Sequence, residues 1–181
     1  MDREALIPVV DEHDNVVGTA LRSVMRAQNL LHRCTAVLVL NSEGDRLLVH
    51  RRAASKSFWP GWWDLAAGGV VEVDEDLAEA ASRELREELG VDAPLTKLGS
   101  GRYHDQDVDV FMHVWVADHD GPFAFTDGEV DTIEWLSPDL LAVRLTDPTV
   151  HWCHDSVAIA LPLLRSALPL WQPRGYGSEQ L

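Results

Sequence analysis

Seven residues in one short segment constrain this chain more than anything else in it. Residues 68–91 read GGVVEVDEDLAEAASRELREELGV. From Gly69 onward the segment follows G-x5-E-x7-R-E-U-x-E-E-x-G-U without a mismatch, where U is aliphatic. Gly69, Glu75, Arg83, Glu84, Glu87, Glu88 and Gly90 hold the fixed places, with Leu85 and Val91 at the aliphatic ones. A chance match in a chain of this size is on the order of one in a million from average residue frequencies. Residues three and four apart share one face of a helix. The spacing therefore predicts a helix on which the carboxylates of Glu84, Glu87 and Glu88 converge, with Arg83 in reach of Glu87. Leu77, Ala81, Leu85 and Leu89 form an apolar stripe that turns to a core. Asp74 is the expected N-cap, and Glu75 and Asp76 suit a first turn where the helix dipole favours anions. Gly90 is the expected stop, because glycine enters the left-handed region without steric cost.

Three carboxylates on one ridge repel one another, by roughly 0.2–0.5 kcal/mol per exposed pair. A hard divalent cation removes that conflict. An all-oxygen ligand set points to Mg2+, or Mn2+, and away from zinc. Mg2+ prefers a few carboxylates together with waters and substrate phosphates. Diphosphate hydrolysis follows, with the metal neutralising phosphate charge and acidifying an attacking water. A solvated Glu-rich face is the ordinary explanation of an isolated Glu pair. It does not account for two glycines and an arginine at fixed offsets.

Net charge excludes two classes of partner. The chain of 181 residues carries a formal charge of −15, which argues against a nucleic-acid duplex or an anionic membrane. A small phosphorylated substrate remains compatible, because positive charge can be local and a metal adds more. No apolar run is long enough to span a bilayer. The start, MDREALIP, lacks a basic-then-apolar signal, which predicts a cytoplasmic protein. Cys34 and Cys153 have no metal-type spacing and imply reduced, structural thiols. A homodimer is compatible with the sequence but not legible in it.

The length suits one domain over 1–181, with its core in 30–165. Residues 6–21 read as an N-terminal β-hairpin around the turn-prone DEHDN. A short helix is expected over 23–29. Strands are expected over 35–40, 46–52, 95–103 and 108–117, with residues 66–71 leading into the acidic helix and a strand-like IEW after Glu129. Residues 55–65, SKSFWPGWWDL, read as a loop. Pro138 opens a short helix, and a longer closing helix is expected over 154–168. Strands and helices mix without a regular βαβ rhythm, which predicts an α+β or mixed-sheet domain.

The segment from Gly69 is the Nudix box, and the chain resembles a Nudix hydrolase. The resemblance implies an α/β/α sandwich, a mixed sheet between helices, with the box as loop-helix-loop. It implies a divalent cation on Glu84, Glu87 and Glu88, helped by the Gly69 carbonyl. It implies that Arg83 orients a carboxylate and that Glu75 stabilises the loop-helix arrangement. Many Nudix hydrolases carry a Glu in a loop corresponding to Glu129, as base or extra ligand, so Glu87, Glu88 and Glu129 are all candidate general bases. The expected activity is Mg2+-dependent cleavage of a diphosphate bond in a nucleoside diphosphate or a small molecule linked to one.

Upstream, NVVGTALRSV, LLHRCTAVLVLN and LLVHRRAASKSFWPGWWD also resemble type I isopentenyl-diphosphate isomerase, itself a Nudix-fold enzyme. That isomerase uses a Cys shortly after the tryptophan segment, and Gly68 holds the corresponding place. Glycine is neither acid nor base. His32 matches one of the isomerase's metal histidines, and Met25 stands where an earlier one belongs. The isomerase also departs from the intact box kept here. The combination resembles an isomerase-like subgroup of Nudix hydrolases; double-bond isomerisation and non-catalytic nucleotide binding are the rival readings.

Arg51, Arg52 and Lys56 are a basic cluster before the box and could grip phosphate. The alternative is strand-edge charge paired with local carboxylates. In a regular strand Arg51 and Arg52 point to opposite faces, so at most one faces the site. Trp59, Trp62 and Trp63 either stack on a ligand or seal a core edge, and burial is the commoner use. His151 and His154 around Cys153 make a weak metal pattern. The proline that some ADP-ribose-cleaving relatives carry beyond their box is replaced here by HDQDV.

Overall fold

The computed structural model describes residues 4–172. Strand β3, His32–Leu40, is its axis. Every residue from Cys34 to Leu40 is buried, as expected of an apolar run covered on both faces. It pairs in parallel with β8, Asp109–Asp118, from His32 opposite Val110 to Leu40 opposite Asp118. It pairs antiparallel with β4, Leu47–Arg52, and with β6, Ala67–Val70. The hairpin of β1, Leu6–Val10, and β2, Val16–Leu21, joins through Val9 opposite His32. Strand β7, Thr96–His104, lies beside β8, while β5, Trp63–Asp64, and β9, Val130–Leu136, pair with β4.

Alternation along β3 builds two cores. Cys34, Ala36 and Leu38 share one with Met112, Val114 and residues of α4, Leu161–Ala167. Val37 and Val39 share the other with Trp115 and with Ala81, Leu85 and Leu89 of α2, Leu77–Leu89. The mixed sheet thus lies between α2 and the C-terminal helical segment, as an α+β sandwich. Helix α1, Arg22–Ala27, follows the hairpin, and α3, Pro138–Leu145, follows β9. Among the described residues no helix is long and apolar enough to cross a membrane.

Three local expectations are corrected. The N-cap of α2 is Asp76, whose carboxylate accepts from the N–H groups of Ala78 and Glu79. Asp74, expected in that role, instead takes a left-handed turn with φ 66°. The closing helix is not uniform: Ser156–Ala160 is a π-type turn and the α-helix starts at Leu161. Pro162 has no N–H to give to the preceding turn, which explains the change of pitch. The tryptophan loop contains β5, which ties it to β4.

Gly90 ends α2 as expected, with φ 69°. A Cβ there would lie 2.9 Å from the Cβ of Ala124. Gly90→Ala should lower unfolding stability by about 1–2 kcal/mol or more from the left-handed conformation alone. An unchanged urea midpoint would contradict this account of the cap.

Candidate active site

Helix α2 meets the sheet through a pair of glycines. Gly68 and Gly69 pair with Ala36 and Thr35 across β3. A Cβ on Gly69 would overlap the carboxylate of Glu84, so that carboxylate rests directly on the strand backbone. One helical turn later, Glu88 accepts a hydrogen bond from the N–H of Gly68 at 3.1 Å. Both carboxylates therefore sit against two successive residues of β6. A Cβ on Gly68 would overlap the carbonyl of Thr35. On this backbone no side chain fits at Gly68, so the isomerase's cysteine has no room there.

Arg83 organises the ridge from outside. Its guanidinium donates to Glu75 at 2.7 and 3.1 Å, to Glu84 at 2.6 Å and to Glu87 at 3.1 Å. It also donates to the carbonyl of Val70 at 3.3 Å, tying α2 to the end of β6. Glu75 in turn accepts from the N–H of Glu72 at 3.0 Å. Burial would raise Glu75, but the bonds from Arg83 and Glu72 hold it below the usual carboxylate range. The hydrogen bond that it donates to Glu75, ahead of its other partners, raises the pKa of Arg83.

The three ridge glutamates differ in setting. Glu88 is 2% exposed, and burial pushes its pKa up to about 8 against the pull of Lys56. Glu84 is also buried, and burial raises it despite Arg83. Glu87 is half exposed and turned to Arg83. On a helix, position 87 lies a quarter turn or so from 84 and 88, which share a face. Among the described residues no three His, Cys, Asp or Glu side chains form a ready-made cage for an ion. Glu84, Glu88 and the Gly69 backbone nevertheless suit a hard cation, because two desolvated carboxylates abut one strand with a single guanidinium beside them.

Across the site, Lys56 reaches Glu88 at 3.7 Å and forms an ion pair with Glu129. Burial lowers the pKa of Lys56 even though Glu88 opposes the change. Arg51 and Arg52 do point apart. Arg51 pairs with Asp131 in solvent. Arg52 donates to the carbonyl of Phe58 at 3.2 and 3.3 Å and lies 3.8 Å from Asp64.

Two clefts that share Arg22, Arg26, Lys56 and Ser57 in their linings lie beside these groups. The outer one, about 350 Å³, is lined by Arg22, Arg26, Lys56, Ser57, Asp127 and Glu129. The inner one, about 160 Å³, runs past Gly68 and Gly69 to His32, Cys34, Asp64 and Asp155. Burial, then the charge of Asp64, pushes Asp155 up to about 7. Trp59 lines the inner cleft and stacks on Trp62, with ring centroids 5.9 Å apart. Trp63 packs on the core beside Trp152. His151 and His154 pack on Trp62.

Sequence reasoning missed Arg22, Arg26, Asp64 and Asp155. The arginines stand four apart in an acidic chain, a signal hidden when α1 is started at Ser23. The aspartates are 91 positions apart in the sequence and meet only through the fold.

Comparison with known proteins gives a consistent picture. Residues 30–155 match the NUDIX domain family. The chain is 36% identical over 174 residues to the uncharacterized Nudix hydrolase YfcD of Escherichia coli K12, covering 96% of this chain and 89% of that protein. It is 37% identical over 153 residues to the uncharacterized Nudix hydrolase PA4841 of Pseudomonas aeruginosa, covering 84% and 89%. The crystal structure of DR0079 from Deinococcus radiodurans superposes with a TM-score of 0.73 at 30% identity, covering 89% of this chain and 98% of that one.

Burial outweighs the pull of Lys56 and raises the folded pKa of Glu88 above its unfolded value, so this carboxyl costs folding stability at neutral pH. In the presence of a chelator, Glu88→Gln, which keeps an acceptor for the Gly68 amide, should raise unfolding stability at neutral pH by about 1 kcal/mol or more. A lower denaturation midpoint for that variant would show that Glu88 is structural.

Proposed function

The chain belongs to the Nudix hydrolase family and is a pyrophosphohydrolase, and we propose that it cleaves, with Mg2+, the diphosphate bond of a nucleoside diphosphate or of a small molecule linked to one. The observation that carries this reading is the seat of Glu84 and Glu88 on the glycine pair of β6. Glu84, Glu88 and the Gly69 carbonyl would hold the cation, and the exposed Glu87 completes the candidate set. Bound there, the cation would neutralise phosphate charge and lower the pKa of an attacking water; Mn2+ has the same preference for oxygen and is the natural substitute.

The protein's own groups have separable tasks. Arg83 and Glu75 hold the ridge in place and do not meet substrate. Lys56, half-buried between Glu88 and Glu129, would face the phosphates, and Arg52 lines the same inner cleft. Arg51 pairs with Asp131 on the exposed side of the strand, which favours Lys56 and Arg52 over it for that task. Water adds to one phosphorus, the anhydride P–O bond breaks, and the water's proton passes to a carboxylate. Glu87, Glu88 and Glu129 remain the candidates for that base. Glu129 is the one that lines the outer cleft, which supports it for an incoming water. The overlap at Gly68 removes any reason to prefer isomerisation. Cys34 and Cys153 are both buried and free, which supports a reducing, cytoplasmic setting.

A panel of nucleoside diphosphates and their linked derivatives, assayed with Mg2+ and Mn2+, tests the activity. Glu88→Gln should lower kcat by roughly two orders of magnitude or more while circular dichroism stays unchanged. Undiminished Mg2+-dependent turnover in that variant would remove the proposal. Gly69→Ala should weaken Mn2+ binding about tenfold or more, since its methyl displaces Glu84. Gly18→Ala, whose Cβ meets nothing within 4 Å, is the control. Equal Mn2+ affinity in all three proteins would place the ion elsewhere.

A further inference from the structure

The mouth of the outer cleft holds more positive charge than the groups around it neutralise. Arg22 and Arg26 stand one turn apart on α1, both half-buried and both lining the two clefts. Both lie ahead of residues 30–155, the part that matches the family. Among the described residues neither forms an ion pair with a carboxylate. The Nε of Arg22 is buried without a hydrogen-bond partner. Among the described residues Arg26 donates only to the Ser57 hydroxyl, at 3.4 Å, and lies over the ring of Phe58. Burial, then the like charges of Arg22 and Arg52, holds the pKa of Arg26 below the ordinary arginine value. Lys56, by contrast, is already engaged by Glu129 and Glu88. Two desolvated guanidinium groups with spare donors call for an anion, and the planar fork suits phosphate oxygens.

We infer that Arg22 and Arg26 grip a free terminal phosphate, so that the substrate is a nucleoside di- or triphosphate with an unesterified end and not a diphosphate diester. The inference rests on the diphosphate reading above and narrows it. A terminal phosphate carries about −1.5 to −2 at neutral pH, whereas an esterified one carries a single charge. A diester's charge would be matched by a divalent cation, leaving the two α1 arginines without an anion to hold. The extra charge and extra oxygens of a free end match them. Asp127 and Glu129 also line this cleft and disfavour a phosphate held anywhere but on the arginines.

The test compares substrates that differ only in esterification: ADP against ADP-ribose, and CDP against CDP-choline. The full-length protein is assayed with Mg2+ or Mn2+, reading the nucleoside monophosphate released. The wild type should favour the free-ended member of each pair at least tenfold in kcat/KM. Arg22→Gln and Arg26→Gln should each reduce that preference at least tenfold, chiefly through a higher KM for the free-ended member. Arg22→Lys and Arg26→Lys should restore part of it. A wild type that favours the diesters, or variants that slow both members of a pair equally, would overturn the inference while leaving diphosphate hydrolysis standing. Release of no nucleoside monophosphate from any of the four by the wild type would overturn the diphosphate reading and this inference together.

Discussion

The contact on which the molecule turns is the one between the acidic ridge of α2 and the bare backbone of Gly68 and Gly69. A helix normally keeps its carboxylates in water and its apolar face on the sheet. Here Leu85 and Leu89 do face the core, yet Glu84 and Glu88 are buried beside them. This is sterically feasible only because β6 has no side chains at the point of approach. It is electrostatically tolerable because Arg83 serves Glu75, Glu84 and Glu87 at once and Lys56 stands beside Glu88. The arrangement remains unbalanced, as the raised pKa of Glu88 records. A fold that keeps such a cost invites a functional reason, and a bound cation supplies one.

Charge is sorted in space rather than averaged. The chain carries −15 overall, but Arg22, Arg26, Arg52 and Lys56 all line the inner cleft. The carboxylates occupy the ridge, the 127–129 loop and the cleft floor. Such segregation lets an acidic protein hold a phosphorylated ligand without attracting polyanions at large. Strand β3 makes it work mechanically: paired with β1, β4, β6 and β8, it fixes the ridge, the Lys56 loop and α1 around one opening.

Features set by neighbours in sequence were legible in advance. The α2 helix, its apolar stripe, its Gly90 stop, the hairpin at 6–21 and the succession of strands all follow from periodicity and turn chemistry. Even the divergence of Arg51 and Arg52 follows from strand geometry. Boundaries were less secure, since Asp74 and Asp76 are equally good caps on paper. Asp74 was drawn into a left-handed turn, leaving Asp76 at the helix start. Long-range meetings were not legible: Lys56 and Glu129 lie 73 residues apart, and nothing local announces them. The burial of Glu84 was equally hidden, because helical spacing tells which residues share a face but not what that face meets. The exposure of Glu87 has the same origin.

Anomalous diffraction from crystals grown with Mn2+ tests the central claim most directly. A peak is predicted within about 2.0–2.3 Å of carboxylate oxygens of both Glu84 and Glu88 and of the Gly69 carbonyl, as a hard octahedral ion requires. A fully occupied peak elsewhere, with those two carboxylates still held only by Arg83, Lys56 and the Gly68 amide, would contradict the account.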